Sequence, residues 1–314
     1  MISIYRMHWD HAPTDSTWIA SGARDVPIEE VSMYAVAGVS GNTGRWVAQT
    51  LLEAGEPVRV IVRDAAKGQP WADRGAEVAV ADLSDADALA TALDGVEGLY
   101  VLIPPQHTDD PVKDGITLGQ SVARAASRAG VHVVLLSSMG AQHPSGTGPI
   151  QILHHTEAAL RGAGVDATFL RAGYFFENFG ALLPAINGDG VVPTFIPAST
   201  PLPVVTVRDI GRKAAALLRA GGDGVKIVGL IGAGDPTTDD IAAGFSQALG
   251  RPVTAVEQPL DAVIPTFEGM GLSPAWARLY DELYRGMRSG RIAFDAQPQR
   301  GSDGVTEGVA ALLS

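Results

Sequence analysis

Three glycines punctuate the stretch Ala35-Val36-Ala37-Gly38-Val39-Ser40-Gly41-Asn42-Thr43-Gly44-Arg45 at spacing G-x-x-G-x-x-G. Met33 to Ala37 form a short apolar run that reads as a strand, and Arg45 to Leu52 read as a helix. A strand that turns at once into a helix needs backbone conformations that glycine adopts without a Cβ penalty. Absent side chains also let the backbone approach a pyrophosphate. The helix N-terminus then offers unpaired N–H groups and a partial positive charge. Ser40, Asn42 and Thr43 add polar groups around the turn. With 37 glycines in 314 residues, spacing alone is a weak signal. The strand-turn-helix context is what points to a dinucleotide site on Gly38, Ser40, Gly41, Asn42, Thr43 and Gly44. The plain alternative is a tight turn closing an ordinary βα unit.

The second strand reads as Pro57 to Val62, followed by Arg63-Asp64. This lies about twenty residues beyond the glycine turn, where an acidic residue binds the ribose of NAD and an arginine accommodates the 2′-phosphate of NADP. Arg63 comes first and Lys67 stands one turn later, so NADP(H) is expected over NAD(H). If the pair is only a solvated turn, replacing Arg63 will leave both affinities alike.

From Tyr34 onward strand and helix patterns alternate. Strands are expected at 34–37, 58–62, 77–80, 98–103, 131–136, 167–170 and 225–230. Helices are expected at 45–54, 65–72, 85–93, 111–129, 150–162, 209–218, 238–249, 260–269 and 274–287. Short apolar runs separated by amphipathic segments imply an α/β, Rossmann-type, doubly wound parallel sheet with helices on both faces. The Pro/Gly-rich stretch 184–203 breaks the rhythm. Residues 33–183 are therefore read as a dinucleotide-binding domain to which helix 209–218 returns. Residues 184–314 are read mainly as a smaller, partly helical C-terminal lobe over the cleft. Ligands of such sheets bind beyond the carboxyl ends of the strands. That rule selects Asp82 and Leu83, then Ile103, Pro104 and Pro105, then Ser137, and Tyr174 with Asn178 after the sixth strand. For Tyr174 and Asn178 the competing roles are packing and backbone capping.

Composition excludes several classes. The net charge is −12 and no basic stripe occurs, so neither nucleic acid nor an anionic membrane is an expected partner. No apolar run approaches the ~18 residues of a membrane span. With no cysteine there is neither a disulfide nor a thiolate metal site, and no other metal-ligand spacing stands out. A cytoplasmic protein with a small-molecule substrate is the expectation, and a homodimer is compatible with it. Residues 1–32 carry Trp9 and Trp18 without helical or strand period and without a secretory h-region. They read as a poorly ordered extension, with translation starting at Met33, or as an arm whose tryptophans dock on a partner or on the core.

The runs Val36–Arg45, Val60–Asp64, Val101–Pro105, Leu135–Met139 and Phe169–Phe179 resemble the NmrA-like family, atypical members of the short-chain dehydrogenase/reductase superfamily. Leu170-Arg171-Ala172-Gly173-Tyr174-Phe175-Phe176-Glu177-Asn178-Phe179 is the most specific stretch, with Ala172 where members commonly carry proline. The resemblance covers roughly Met33 to Leu218. It implies NADP(H) on the glycine turn, Arg63 and the strand-end loops, with substrate between the lobes. One departure is decisive: no tyrosine has a lysine four residues on, so the superfamily's Tyr-x-x-x-Lys acid–base pair is missing. The helix after Ile150 instead carries His154, His155 and Glu157. Either histidine is a candidate proton donor or quinone-orienting group. Adjacent residues on a helix point about 100° apart, so at most one faces a cleft, and a surface pair is the plain alternative. Two functions follow as expectations. One is an NADPH-dependent oxidoreductase passing hydride to a quinone or related conjugated carbonyl, whose delocalised product anion needs less acid help than an alkoxide. The other is a non-catalytic NADP(H)-binding redox sensor. A reductase of aromatic ethers would carry a lysine in the His154 helix, which this chain lacks.

Overall fold

The computed structural model describes residues 32–314, so the expectations for Trp9, Trp18 and the rest of the N-terminal extension lie outside the described residues. In chain order the elements begin β1 (Tyr34–Ala37), α1 (Asn42–Glu53), β2 (Val58–Val62), α2 (Ala65–Ala72), β3 (Glu77–Val80), α3 (Ala86–Ala92), β4 (Gly98–Val101), α4 (Pro111–Ala129), β5 (His132–Ser138), α5 (Ile150–Gly162) and β6 (Ala167–Ala172). There follow β7 (Tyr174–Phe175), a 3₁₀ segment (Phe176–Leu182), α6 (Leu183–Gly188), β8 (Val191–Thr194), β9 (Val204–Val205), α7 (Val207–Arg219) and β10 (Val225–Ile231). The tail holds α8 (Thr238–Leu249), β11 (Thr254–Glu257), a 3₁₀ turn (Leu260–Ala262), α9 (Val263–Gly269), α10 (Pro274–Arg288), β12 (Gln299–Arg300) and α11 (Val305–Leu313).

Eight strands form one sheet in the order β12-β10-β6-β5-β4-β1-β2-β3, and every pairing in it is parallel. The Rossmann-type doubly wound sheet is therefore present. Alternating residues of each buried strand feed opposite layers. Val134 and Leu136 of β5 join the core under α1 and α7. Val133 and Leu135 join the core under α3, α4 and α5. Close helix contact depends on small residues: a Cβ on Gly211 of α7 would overlap the Trp46 backbone of α1.

The chain order reverses between β1 and β4, which are hydrogen-bonded neighbours. Their following loops meet there, and a Cβ built on Gly38 would lie 3.4 Å from Leu102. This switch point is where a doubly wound sheet opens its ligand crevice.

Residues after 183 contribute to both parts of the molecule. α7 packs on the large sheet, and β10 and β12 extend its edge. A separate apolar core around Phe176, Phe179, Ile186, Phe245 and Val309 holds the smaller lobe. The Pro/Gly-rich stretch is not structureless: β8 within it pairs with β11, sixty-three residues away in sequence. The expected helix 260–269 is a 3₁₀ turn followed by α9. Among the described residues no helix is long and apolar enough to cross a membrane.

Candidate functional site

The glycine turn has the geometry of an anion cradle. Gly38 has φ +77°, a conformation that costs an ordinary residue strain, and the Gly41 N–H donates to its carbonyl at 2.9 Å. A Cβ on Gly44 would overlap the Gly38 carbonyl, so α1 can start this close to β1 only with glycine there. α2, α3, α4, α7, α8 and α10 are capped by Asp64, Asp85, Asp110, Thr206, Thr237 and Ser273. α1, like α5, has no side-chain cap and no acid in its first turn. Its leading N–H groups are thus left for something outside the helix, and an anion is what they suit. Ser40, Gly41 and Asn42 are exposed around them. Thr43 is buried, and its hydroxyl accepts a 2.9 Å hydrogen bond from Tyr100 of β4. Burial pushes the Tyr100 hydroxyl well above its ordinary value, so it holds its proton and stays a donor. The pair fixes α1 to β4.

Arg63 and Lys67 are exposed beyond β2. Asp64 is turned to the backbone, accepting the Ala66 N–H at 3.0 Å as the cap of α2. The acid is occupied and the two cations face solvent, an arrangement that suits a phosphate better than a bare ribose. Asp82, after β3, accepts from both the N–H and the hydroxyl of Ser84, and these bonds hold its carboxyl below the usual carboxylate range. Leu83 and Ile103 are half-buried against the sheet core, while Pro104 and Pro105 are exposed.

Ser137, at the end of β5, is engaged within the protein. Its side chain is buried, and its hydroxyl donates to Glu157 at 2.6 Å. Arg171 grips the same carboxylate with two bonds, Nε to Oε1 at 3.0 Å and Nη2 to Oε2 at 2.7 Å, and reaches Asp295 at 2.9 Å. The side chains of Arg171 and Glu157 are each only 4% exposed. A carboxylate desolvated this far needs every donor it can find, and Ser137 is one of them. Through this bond it braces β5 against α5, which Glu157 ties in turn to β6. Glu157 likewise belongs to this brace.

His154 Nδ1 lies 2.9 Å from the Ala141 carbonyl. A carbonyl only accepts, so Nδ1 carries a proton. His155 meets this ring edge-on at 5.2 Å. The α5 side chains that pack in the apolar cluster with Met139 and Tyr174 are Ile150 and Leu153.

A group of aromatic residues absent from the sequence expectations stands beside Tyr174. Trp276, Tyr280 and Tyr284 lie four residues apart on α10 and so share one face. Tyr280 stacks on Phe267 with ring centres 4.2 Å apart and planes 6° apart, and Tyr284 packs on Phe195 at 5.0 Å. Trp276 Nε1 donates to the Gln106 carbonyl at 2.9 Å, just beyond Pro104 and Pro105. Tyr174 and Tyr284 both pack against the apolar core of the smaller lobe, Tyr174 edge-on to Phe179. Burial raises the hydroxyls of Tyr174, Tyr280 and Tyr284 above the ordinary phenol value. The four-residue spacing was visible in the sequence; the partners that surround it come from α9, β7 and the loop after β8. Among the described residues no group of His, Asp and Glu could hold a metal ion.

The NmrA-like family model matches residues 31–276. The chain belongs to the NmrA-like family. Among relatives of this NmrA-like protein, an NAD(P)H azoreductase of Xenophilus azovorans is 30% identical over 80% of this chain and 86% of the relative. A (4-alkanoyl-5-oxo-2,5-dihydrofuran-3-yl)methyl phosphate reductase of Streptomyces griseus is 33% identical over 73% of this chain and 78% of its own. The crystal structure of an NADPH-dependent quinone oxidoreductase from Escherichia coli, complexed with NADPH, superposes with a TM-score of 0.76 at 27% identity, covering 90% of this chain and all of that one.

Proposed function

We propose that this NmrA-like protein is an NADPH-dependent oxidoreductase that reduces a quinone or related conjugated carbonyl. The observation that carries the reading is the uncapped N-terminus of α1, set by Gly38 and Gly44 at the switch point of the sheet. Gly38, Ser40, Gly41, Asn42, Thr43 and Gly44 would hold the pyrophosphate, and Arg63 with Lys67 the 2′-phosphate. Asp82 and Leu83 would flank the adenosine, and Ile103 with Pro104 the nicotinamide side. Bound there, the reduced nicotinamide supplies a hydride. Pro105, Tyr174 and Asn178 would border the acceptor. The reading is supported by relatives named as reductases of azo, quinone and unsaturated lactone compounds. His154 or His155 would donate a proton to the acceptor or orient it.

The missing Tyr-x-x-x-Lys pair favours a second reading, an NADP(H) sensor that acts through a partner. The two part on one experiment: steady-state NADPH oxidation across a panel of quinones and conjugated carbonyls. Turnover with at least one acceptor is expected. Tight NADPH binding with no turnover on any of them would leave the sensor. A sensor should also bind the oxidised and reduced cofactor with usefully different affinity.

A further inference from the structure

We infer that Tyr100 of β4 is a positioning residue for the cofactor: its hydroxyl, by donating to Thr43, turns the Thr43 proton toward the pyrophosphate at the mouth of α1. The inference rests on the placing of the pyrophosphate at the glycine turn. It does not depend on which acceptor is reduced.

The placement follows from strand register. Tyr100 stands beside Val36 in the parallel pairing of β4 with β1. Both side chains belong to the core on the α1 side of the sheet. Only Gly38 to Gly41 separate β1 from α1, so the first turn of the helix lies close above these two residues. A tyrosine on β4 is long enough to reach it, and its hydroxyl meets Thr43 at 2.9 Å. Tyr100 is fully buried and Thr43 is 3% exposed. A phenol oxygen in an apolar core costs stability unless it is bonded, and phenylalanine would fill the same space without that cost. Packing alone does not call for a tyrosine here. Its bond to Thr43 does.

The direction of that bond is set by the acceptors within reach. Each hydroxyl carries one proton. If Thr43 donated to Tyr100, the phenol proton would be buried without an acceptor, because among the described residues this hydroxyl bonds only Thr43. Tyr100 therefore donates and Thr43 accepts. The Thr43 proton then needs a place. Inside a helix a threonine proton commonly goes to the carbonyl four residues back. Thr50, Thr91, Thr117 and Thr156 do this at 2.7 to 3.1 Å. Thr43, the second residue of α1, makes no such bond among the described residues. Its O–H stands in the same first turn as the uncapped N–H groups, and an anion bound there is the acceptor that suits it. With one lone pair held by Tyr100, the Thr43 hydroxyl is oriented before the cofactor arrives, so less freedom is lost on binding.

Two ligands separate this role from a merely structural one. NADP⁺ carries the pyrophosphate. Adenosine 2′-phosphate carries the 2′-phosphate alone. Binding of both to the full chain is measured by calorimetry. Thr43→Val is expected to weaken NADP⁺ about tenfold, the loss of one charge-assisted hydrogen bond. Thr43→Ser, which keeps the hydroxyl, should bind it nearly as the parent does. Tyr100→Phe should weaken NADP⁺ about threefold, the worth of a neutral hydrogen bond. In the Thr43→Val background the same Tyr100→Phe should cost nothing further, because no hydroxyl is left to aim. Adenosine 2′-phosphate should bind every variant as it binds the parent. An NADP⁺ affinity unchanged in Tyr100→Phe overturns the positioning role. So does an equal loss from Tyr100→Phe with and without the Thr43 hydroxyl, or a loss in Thr43→Ser as large as in Thr43→Val. A parallel loss of adenosine 2′-phosphate overturns it too, because the change would then disturb the fold at large. If the unaltered chain does not bind NADP⁺, the cofactor reading itself falls. If it binds and the variants fail these expectations, only this inference does.

Discussion

At the scale of single residues, the site depends on atoms that are missing as much as on those present. Gly44 has no room for a side chain because the Gly38 carbonyl, a backbone atom that cannot swing aside, occupies the space. Gly44→Ala must therefore push α1 away from β1. Overpacking of this kind costs about 1–3 kcal/mol. It should appear as a lowered urea midpoint together with at least a tenfold loss of NADPH affinity in a direct titration. Arg63 makes the opposite case, a side chain present and exposed while its neighbour Asp64 is spent on a helix cap. A charge-assisted hydrogen bond is worth about 1.5–3 kcal/mol, or roughly tenfold to a hundredfold in affinity. Arg63→Ala should weaken NADPH by about that factor and leave NADH nearly untouched. Equal effects on the two cofactors would mark the pair as an ordinary solvated turn. Ser137 shows the limit of placing a residue by its position at a strand end. The direction of its hydroxyl is decided by Glu157 and Arg171, twenty and thirty-four residues further on.

Elements differ in how much of themselves they carry in their own sequence. β2, β3, α2, α4, α5 and α8 occupy the spans their patterns predict, residue for residue. Buried parallel strands run continuously apolar, and Asp, Pro and Gly mark the helix ends beside them. β7, β9 and β12 have two residues each and exist only because a distant partner pairs with them. β8 and β11, four residues each, hold one another across the lobe in the same way. No local period can announce such strands. The face of α10 stands between these cases: its spacing is local, but Phe195, Phe267 and Tyr174 reach it through the fold. The brace between α5 and β6 yields a test at this scale. Arg171→Met would leave Glu157 buried with only the half-exposed Arg161, 3.5 Å away, as counter-charge, a loss of about 3 kcal/mol. Replacing both partners, as in Arg171→Met with Glu157→Leu, should cost clearly less, because no stranded charge remains. Denaturant unfolding of the two variants measures the difference. A double variant as unstable as the single one would mean that the bonds to Ser137 and Asp295, and not the ion pair, hold these elements together.

At the scale of the whole molecule, the tail is fastened to the sheet by a second buried carboxylate. Asp303 precedes α11, yet its oxygens accept from Thr206 at 2.7 Å and from Arg208 through two bonds of 2.7 Å at the start of α7. Its backbone N–H donates to Asp209 at 2.8 Å. Burial alone would raise the Asp303 carboxyl. The Arg208 and Thr206 hydrogen bonds and the charges of Arg208 and Arg212 outweigh it and hold the carboxyl below its ordinary value. The sign of the consequence is fixed by linkage. A carboxyl whose pKa is lower in the folded chain than in the unfolded one binds fewer protons when folded, so it stabilises the fold above the unfolded value of about 3.9. That contribution is lost as pH falls through the folded value. Asp303→Asn removes the titration and leaves Arg208 short of its partner. The variant should be less stable than the parent at pH 7, and the gap should narrow as pH falls from about 5 toward 3. Thermal or urea unfolding across that range measures it. A gap that stays constant with pH would mean that Asp303 acts through the shape of its hydrogen bonds and not through its charge, and that the tail is held by α11 packing against Phe176.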